Sequence, residues 1–490
     1  MAKGSEVKGF VKVVFDKSFE IEERFDDVGL ARTWAAGVKV GSHLVQAGAD
    51  WALFDVVGGG GGEAGGGGAD GEVVELDLEE GGESSCTEKP RIMFVDSFPT
   101  KGGVDGQRRI WLEQIENLGE AFEFQYALIG DLGESPFYKI LTESNYEVDV
   151  KRLIGQYLKS ERDADKIAEI FQGVGSFDDL EGGLRSIFSE TCGAFSAVDI
   201  VVFFNHPHNT VKIDGTEMTV IDHYLVDLAK LCGASKVVME LPLAPDEVVG
   251  GLKGVDMFVA PSFYVRNDKV FEKSEVPFAV IRPGGSGGGV ERKMRTEGEG
   301  EGEIVRVAMV GRLDPDKSPL MLLRAAALLK DWCLSGRVLF DIVGTGIFEA
   351  ELKVVSSGLG IDACINFMGS MEMERVEDIL SEADIFVNPT FFPQTWGIAN
   401  LEAMAAGAAV VAFSVGGCAE YLIDGVNCKV PREHGAEALA EAIAALVNDQ
   451  HERRRIGERG RNFLLERGLT MANMVAQYKV LYNMMMKDTR

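Results

Sequence analysis

The chain has 490 residues, 46% of them hydrophobic, enough apolar content to bury the cores of two or three domains. Its formal net charge of −29 excludes a nucleic-acid partner, because binding a phosphate backbone needs a basic face. Seven cysteines without a Cys-x-x-Cys pair indicate neither a disulfide framework nor a structural zinc, and with no signal-peptide core or spanning run the expected compartment is the reducing cytoplasm.

Residues 1–57 mix short apolar runs with a helix-like stretch at 30–36 and match no recognisable pattern, so this segment stays unassigned. Glycine runs at 58–62 and 65–68 and an acidic stretch at 72–83 cannot bury a core, so residues 58–89 read as a flexible linker.

Order returns with a buried strand at 92–95, then FPTKGGVDGQ and an amphipathic helix around 110–118. Gly102 and Gly103 either let a phosphate approach the backbone or simply form a strand-to-helix turn. A second strand covers 122–129, a charged and mainly helical region covers 146–191, and the apolar VDIVVFF ends at Phe204. His206 and His208 follow, as a functional pair or a surface pair; a metal site lacks a third ligand. A helix at 220–232 and strands at 236–241, 257–261 and 278–281 continue an alternation that builds a parallel sheet over residues 90–284.

The glycine-rich, acidic residues 285–303 form a second flexible tract and a domain boundary. A strand at 306–310 opens the next domain, residues 304–490, and runs into GRLDPDKSP and a long helix through 329. Strands at 340–343 and 365–369 follow. Helices at 436–448 and 452–485 end the chain, the second carrying Arg453, Arg454, Arg455, Arg459 and Arg461, which either touch an anionic membrane or form a solvated face partly paired with Glu452 and Glu458. Asp163-Ala164-Asp165 and Asp314-Pro315-Asp316 match a metal-binding Asp-x-Asp, but 78 acidic residues make chance a sufficient explanation, and no metal is assigned.

The most informative stretch is 384–420, DIFVNPTFFPQTWGIANLEAMAAGAAVVAFSVGGCAE. Apolar runs at 385–387 and 409–413 read as buried parallel strands, and a helix starts after Gly397 and stops at Gly407. The intervening loop sits at the carboxyl ends of the strands, where the helix directs free amides at an anion. Glu402 lies too far into the helix to cap it, so its carboxylate is free to accept from a vicinal diol such as a ribose. A diphosphate at the helix start and a ribose at Glu402 describe a nucleotide.

Pro389-Thr390, Gln394, Trp396-Gly397, Leu401 to Gly407, and Gly416-Gly417 with Glu420 resemble the motifs of the retaining glycosyltransferases of family 4, glycosyl transferases group 1. The resemblance is closest over 304–427, looser over 91–284, and absent before that. It implies an α/β GT-B fold, two facing Rossmann-like domains with parallel sheets, the first for the acceptor and the second for the nucleotide sugar. It further implies that Arg312 and Lys317 act on the diphosphate, that Gln394 and Glu402 complete the catalytic set, and that Gly103, His206, Thr395, Trp396, Gly397 and Ile398 bind the donor. The final helix would return to the first domain through Met474, Tyr478, Leu481 and Tyr482.

Two departures stand out. RPGGSG replaces the family's Pro-x-Gly-Val-Asp loop, and Gln394 replaces a glutamate. The glutamine either lowers activity or reflects a uronic acid donor, whose own carboxylate a glutamate would repel. The expected reaction moves a sugar from a nucleoside diphosphate sugar, the co-substrate, to an acceptor hydroxyl on a glycan, lipid or small molecule, without a cofactor. An epimerase or phosphorylase on the same fold, and a non-catalytic nucleotide-sugar binding protein, are the alternatives.

Overall fold

The computed structural model describes residues 11–12, 41–47, 50–56, 73–75, 89–96, 106–129, 137, 141, 148–153, 170, 173–204, 209–213, 216–220, 223–241, 254–271, 276–286 and 304–487. The chain divides into two compact units: Met1–Pro99, Trp111–Ile281 and Val475–Arg490 form the first, Thr100–Ile110 and Arg282–Met474 the second.

The first unit contains a four-stranded antiparallel sheet in the order β1 (Val11–Lys12), β2 (Gly41–Ala47), β3 (Asp50–Val56) and β4 (Val73–Glu75). The segment left unassigned therefore contributes strands, and β4 falls within the tract expected to be linker.

Its main sheet is built from β5 (Arg91–Asp96), β6 (Glu123–Ile129), β7 (Asp149–Leu153), β8 (Ile200–Phe204), β11 (Lys236–Glu240), β12 (Met257–Ala260) and β13 (Phe278–Val280). A short antiparallel hairpin, β9 (Asn209–Ile213) with β10 (Thr216–Val220), follows β8. The seven main strands are parallel, in the order β13-β12-β11-β8-β5-β6-β7. Every residue of the central β8, IVVFF, is buried, as expected of a strand covered on both faces. The edge strand β7, DVKRL, lies where a helical region was expected; at an edge its charged side chains need no burial, so it lacks the apolar run that identifies its neighbours.

Helices α1 (Gly106–Leu118), α2 (Gly182–Phe195) and α3 (His223–Leu231) complete the layers. The helix expected from 220 begins later, because β10 holds Val220. The expectation of no disulfide is corrected: Cys192 on α2 is joined to Cys232 just past α3, with Cα atoms 5.2 Å apart. Both helices pack into one core cluster, which brings together cysteines that are 40 residues apart in sequence. Within this unit the Tyr482 hydroxyl donates to Gln114 Oε1 at 2.6 Å, and its ring meets Phe122 edge-on. Tyr478 and Leu481 also belong to this unit, whereas Met474 belongs to the second.

The second unit has a five-stranded parallel sheet of β14 (Val305–Val310), β15 (Val338–Val343), β16 (Ile365–Gly369), β17 (Ile385–Asn388) and β18 (Ala409–Ala412). The order is β16-β15-β14-β17-β18, so the chain winds outward from β14 in one direction and from β17 in the other. The carboxyl ends of these two strands flank the topological switch point, where an open sheet leaves a crevice for a ligand.

The helices of this unit are α4 (Pro319–Leu328), α5 (Lys330–Leu334), α6 (Glu349–Leu359), α7 (Met373–Glu382), α8 (Ile398–Ala405), α9 (Ala436–Asn448) and α10 (Gln450–Glu466), and α11 (Met471–Lys487) starts here but belongs to the first unit from Val475 on. The single helix expected over 452–485 is two, because Gly468 takes the left-handed conformation at φ 61 and ends α10. Arg453 is no candidate for a membrane surface: it is buried, and its Nη1 donates to the Leu446 carbonyl at 2.9 Å. Arg455 pairs with Glu452 and donates to the Gly425 carbonyl, while Arg454 and Arg459 are exposed. Among the described residues, no helix is long and apolar enough to cross a membrane.

Candidate functional site

The loop from β17 to α8 shows why its residue types are required. Gly397 has φ 74, and a Cβ there would lie 2.7 Å from both Cys418 Sγ and Gln394 Oε1. Glycine is therefore needed for conformation and for space. No side chain caps the first turn of α8, so its amide end remains a site for an anion. Next to it, Gln394 forms a parallel bridge with Gly416, and the Gly417 amide donates to the Gln394 carbonyl at 2.7 Å. A Cβ on Gly416 would lie 2.4 Å from that carbonyl oxygen.

The Gln394 side chain is half-buried, its Oε1 3.4 Å from Asn388 Nδ2. Asn388 also donates to Asn400 Oδ1 at 3.0 Å, and Asn400 Nδ2 reaches the Tyr421 hydroxyl at 3.0 Å. This amide network holds the loop against the start of α8. Burial pushes the Cys418 thiol up to about 11, so at neutral pH it is protonated and a poor nucleophile.

Trp396 is a core residue of this unit, 2% exposed, with its indole Nε1 donating to the Pro283 carbonyl at 2.6 Å. The Arg282 guanidinium lies over its ring at 5.5 Å and pairs with Glu420 at 3.1 Å. These contacts give the departing RPGGSG segment a role. Gly284 and Gly285 pass so close to the backbone at Thr470 and Leu401 that Cβ atoms would lie 2.1 Å and 2.5 Å from it. Thr395 and Ile398 are half-buried in the same loop and helix start.

The loop after β14 carries Arg312 and Lys317. Arg312 pairs with Asp314 and, at 2.9 Å, with Asp316; Lys317 Nζ is 3.3 Å from the same Asp316 carboxylate. The Arg312 side chain is 60% exposed, and exposed pairs of this kind contribute only about 0–1 kcal/mol, so an incoming phosphate can compete for it. The Lys317 charge also favours the Cys418 thiolate, opposing in part the rise that burial causes. Glycines pack this corner as well: a Cβ on Gly344 would lie 1.9 Å from the Gly311 carbonyl oxygen.

Glu402 is not free, as its place on the helix suggested. Its side chain is 11% exposed and pairs with Arg109, which belongs to the same unit and also approaches Glu377 Oε1 at 3.5 Å. Burial raises the Glu402 carboxyl above the usual range; Arg109 opposes that rise and Glu377 adds to it. Arg109 is the site residue that sequence reasoning missed, since nothing local marks one arginine of an amphipathic helix as the partner of a carboxylate 293 positions away. At the start of α1, a Cβ on Gly106 would lie 3.0 Å from Ile398 Cδ1. Gly102, Gly103, His206 and His208 lie outside the described residues.

Residues 291–463 match the family model of the glycosyl transferases group 1. The chain is similar to D-inositol 3-phosphate glycosyltransferases from Kribbella flavida, 28% identical over 48% of this chain and 59% of that protein, and from Nocardia farcinica, 32% identical over 31% and 35%. It thus spans between about a third and three fifths of these two relatives. Among solved structures it resembles Anabaena HepE in complex with UDP, with a TM-score of 0.58 and 16% identity over 80% of this chain and 99% of that one. Sucrose-phosphate synthase from Thermosynechococcus elongatus gives a TM-score of 0.57 and 15% identity over 82% and 100%. These likenesses establish the fold of the two parallel-sheet units. The chain carries a group 1 glycosyl transferase domain over residues 291–463, and its fold is GT-B.

Proposed function

We propose that this protein is a retaining glycosyltransferase that moves a sugar from a nucleoside diphosphate sugar to an acceptor hydroxyl. The observation that carries the reading is the uncapped start of α8 at the switch point of the second sheet, with Arg312 and Lys317 on the loop after β14 and Glu402 little more than a turn into the helix. The α8 amides, Lys317 and Arg312 receive the diphosphate, and Glu402 accepts from the ribose.

In this scheme the departing diphosphate takes the acceptor proton on the face it leaves, so the protein supplies no nucleophile. The chain's work is electrostatic: fixed amides and cations meet charge that grows on the diphosphate, each worth a few kcal/mol, roughly 2.7–4 for one oxyanion donor. Gln394 offers an amide near the sugar where a carboxylate would favour positive character at the anomeric carbon. No cofactor is needed.

The UDP named with HepE makes UDP-glucose the first donor to test, and the names of the curated relatives make D-inositol 3-phosphate the first acceptor. The test follows transfer from UDP-, GDP- and ADP-sugars and reads the anomeric configuration of the product by NMR. Retention is expected; an inverted product would overturn the mechanism, and nucleotide binding without turnover across a broad acceptor panel would overturn the activity.

A further inference from the structure

The carboxylate assigned above to the ribose already faces a cation. Arg109 Nη1 donates to Glu402 Oε1 while Nη2 lies 3.5 Å from Glu377 Oε1, and the three side chains are 7%, 11% and 29% exposed. One guanidinium thus joins carboxylates from α7 and α8, both within the second unit. The planar fork suits this bridge, since its two terminal nitrogens point at different acceptors.

Among the described residues, the charges around Glu402 are few. Helix α8 packs on α7, α10, β17 and β18. Helix α7 contributes Glu377, and the start of α1 contributes Arg109. The strands IFVN and AVVA carry no charge, and α10 turns Gly457 and Gly460 toward the Gly407 and Met404 end of α8. Two neighbouring carboxylates with little water cannot both stay ionised unless a cation stands between them. A protonated carboxyl spends one oxygen as a donor, whereas a vicinal diol held by two hydrogen bonds needs both as acceptors.

We propose that Arg109 is a positioning residue for the donor ribose, supplying the charge and the restraint that present Glu402 as a double acceptor beside Glu377. The inference rests on Glu402 as the ribose ligand. It assigns α1 a role that neither the Gly397 loop nor the Arg312 and Lys317 pair performs, and it means that loss of Arg109 moves the acid loss of ribose recognition to higher pH than in the wild type.

The experiment uses the full chain and whichever of UDP, GDP and ADP the wild type binds, each compared with its 2′-deoxy counterpart by calorimetry across mildly acidic to mildly basic pH. The wild type should prefer the ribose form. Arg109→Gln should lose about tenfold in that preference at the acidic end, where the wild type still holds it, and regain it toward the basic end, because removing a neighbouring cation raises the carboxyl further. Arg109→Lys should keep part of the preference, and Glu377→Gln placed in the Arg109→Gln background should restore part of it at neutral pH. If Arg109→Gln does not fold, Arg109→Lys and the double variant decide the matter by the same readout.

An unchanged preference in Glu402→Gln would sink the ribose assignment itself, whatever Arg109 does. If Glu402→Gln abolishes the preference while Arg109→Gln keeps it at every pH, the proposal for Arg109 falls and the ribose assignment stands. A loss in Arg109→Gln that is equal at all pH and is rescued by neither Arg109→Lys nor Glu377→Gln would make Arg109 a structural prop and overturn the proposal.

Discussion

Glu402 has the clearest single-residue consequences. Replacing it with alanine should weaken nucleoside diphosphate binding by about 1.5–3 kcal/mol, the usual worth of hydrogen bonds to a charged group, as read by calorimetry. Its carboxyl is raised by burial, so wild-type affinity should fall on acidification, starting above the ordinary carboxylate range, while Glu402→Gln shows no such fall. Stability runs the other way. The folded protein holds a proton that the unfolded chain has shed, so this group's contribution is present below the ordinary carboxylate range and is lost as pH rises through the raised folded value. Denaturant titrations of wild type and Glu402→Gln at several pH values check that slope. Gln394 bears on the donor: its Oε1 faces Asn388 and Cys418, a setting that admits a carboxylate of the same shape. If the glutamine reflects a uronic donor, Gln394→Glu should raise turnover of a neutral donor relative to the matched uronic one. Equal gains on both would mean that the glutamine is only a weaker residue.

At the scale of elements, the loops after β14 and β17 are placed to carry the site because the strand order reverses between those two parallel neighbours. Arg312→Ala and Lys317→Ala should lower turnover by about 10²–10³, as losing one preorganised donor does, with little change in melting temperature because both side chains are partly exposed. Matched losses of activity and melting temperature would indicate a structural pair instead. Gly285→Ala should act in the opposite sense. Its Cβ would lie 2.5 Å from the Leu401 carbonyl oxygen, so the backbone in the middle of α8 must shift, at about 1–3 kcal/mol for such overpacking, measurable by chemical denaturation.

For the whole molecule, the described part of the candidate site lies within one compact unit, Thr100–Ile110 with Arg282–Met474. Removing residues 1–88 should therefore leave nucleotide binding intact, as followed by thermal shift with UDP. An insoluble product would show that β1 to β4 support the first unit, to which they belong.

Much of this architecture was legible in the sequence, for a physical reason: a strand buried on both faces must be apolar along its length, so β8, β14, β17 and β18 announce themselves. Gly407 was legible as the left-handed end of α8, whereas the positive φ of Gly397 and Gly416, which entered only through the family motifs, was shown by the structure. The alternation of parallel strands and helices and the loop between β17 and α8 followed from such local rules, whereas the GT-B fold was implied by the resemblance of the motifs in residues 304–427. Contacts between distant positions did not, because nothing in a residue's neighbours records what the fold brings against it. The edge strand β7 was hidden by charges that an edge tolerates, and the Cys192 to Cys232 bridge by the packing of α2 on α3. The glycines of RPGGSG looked like a flexible boundary until the backbone at Thr470 and Leu401 was seen against them. Glu402 was marked as a free acceptor by its place on α8; that it is buried, and that Arg109 and Glu377 set its charge, was decided only by tertiary structure, which alone puts three ionisable groups from separate helices into one poorly hydrated space.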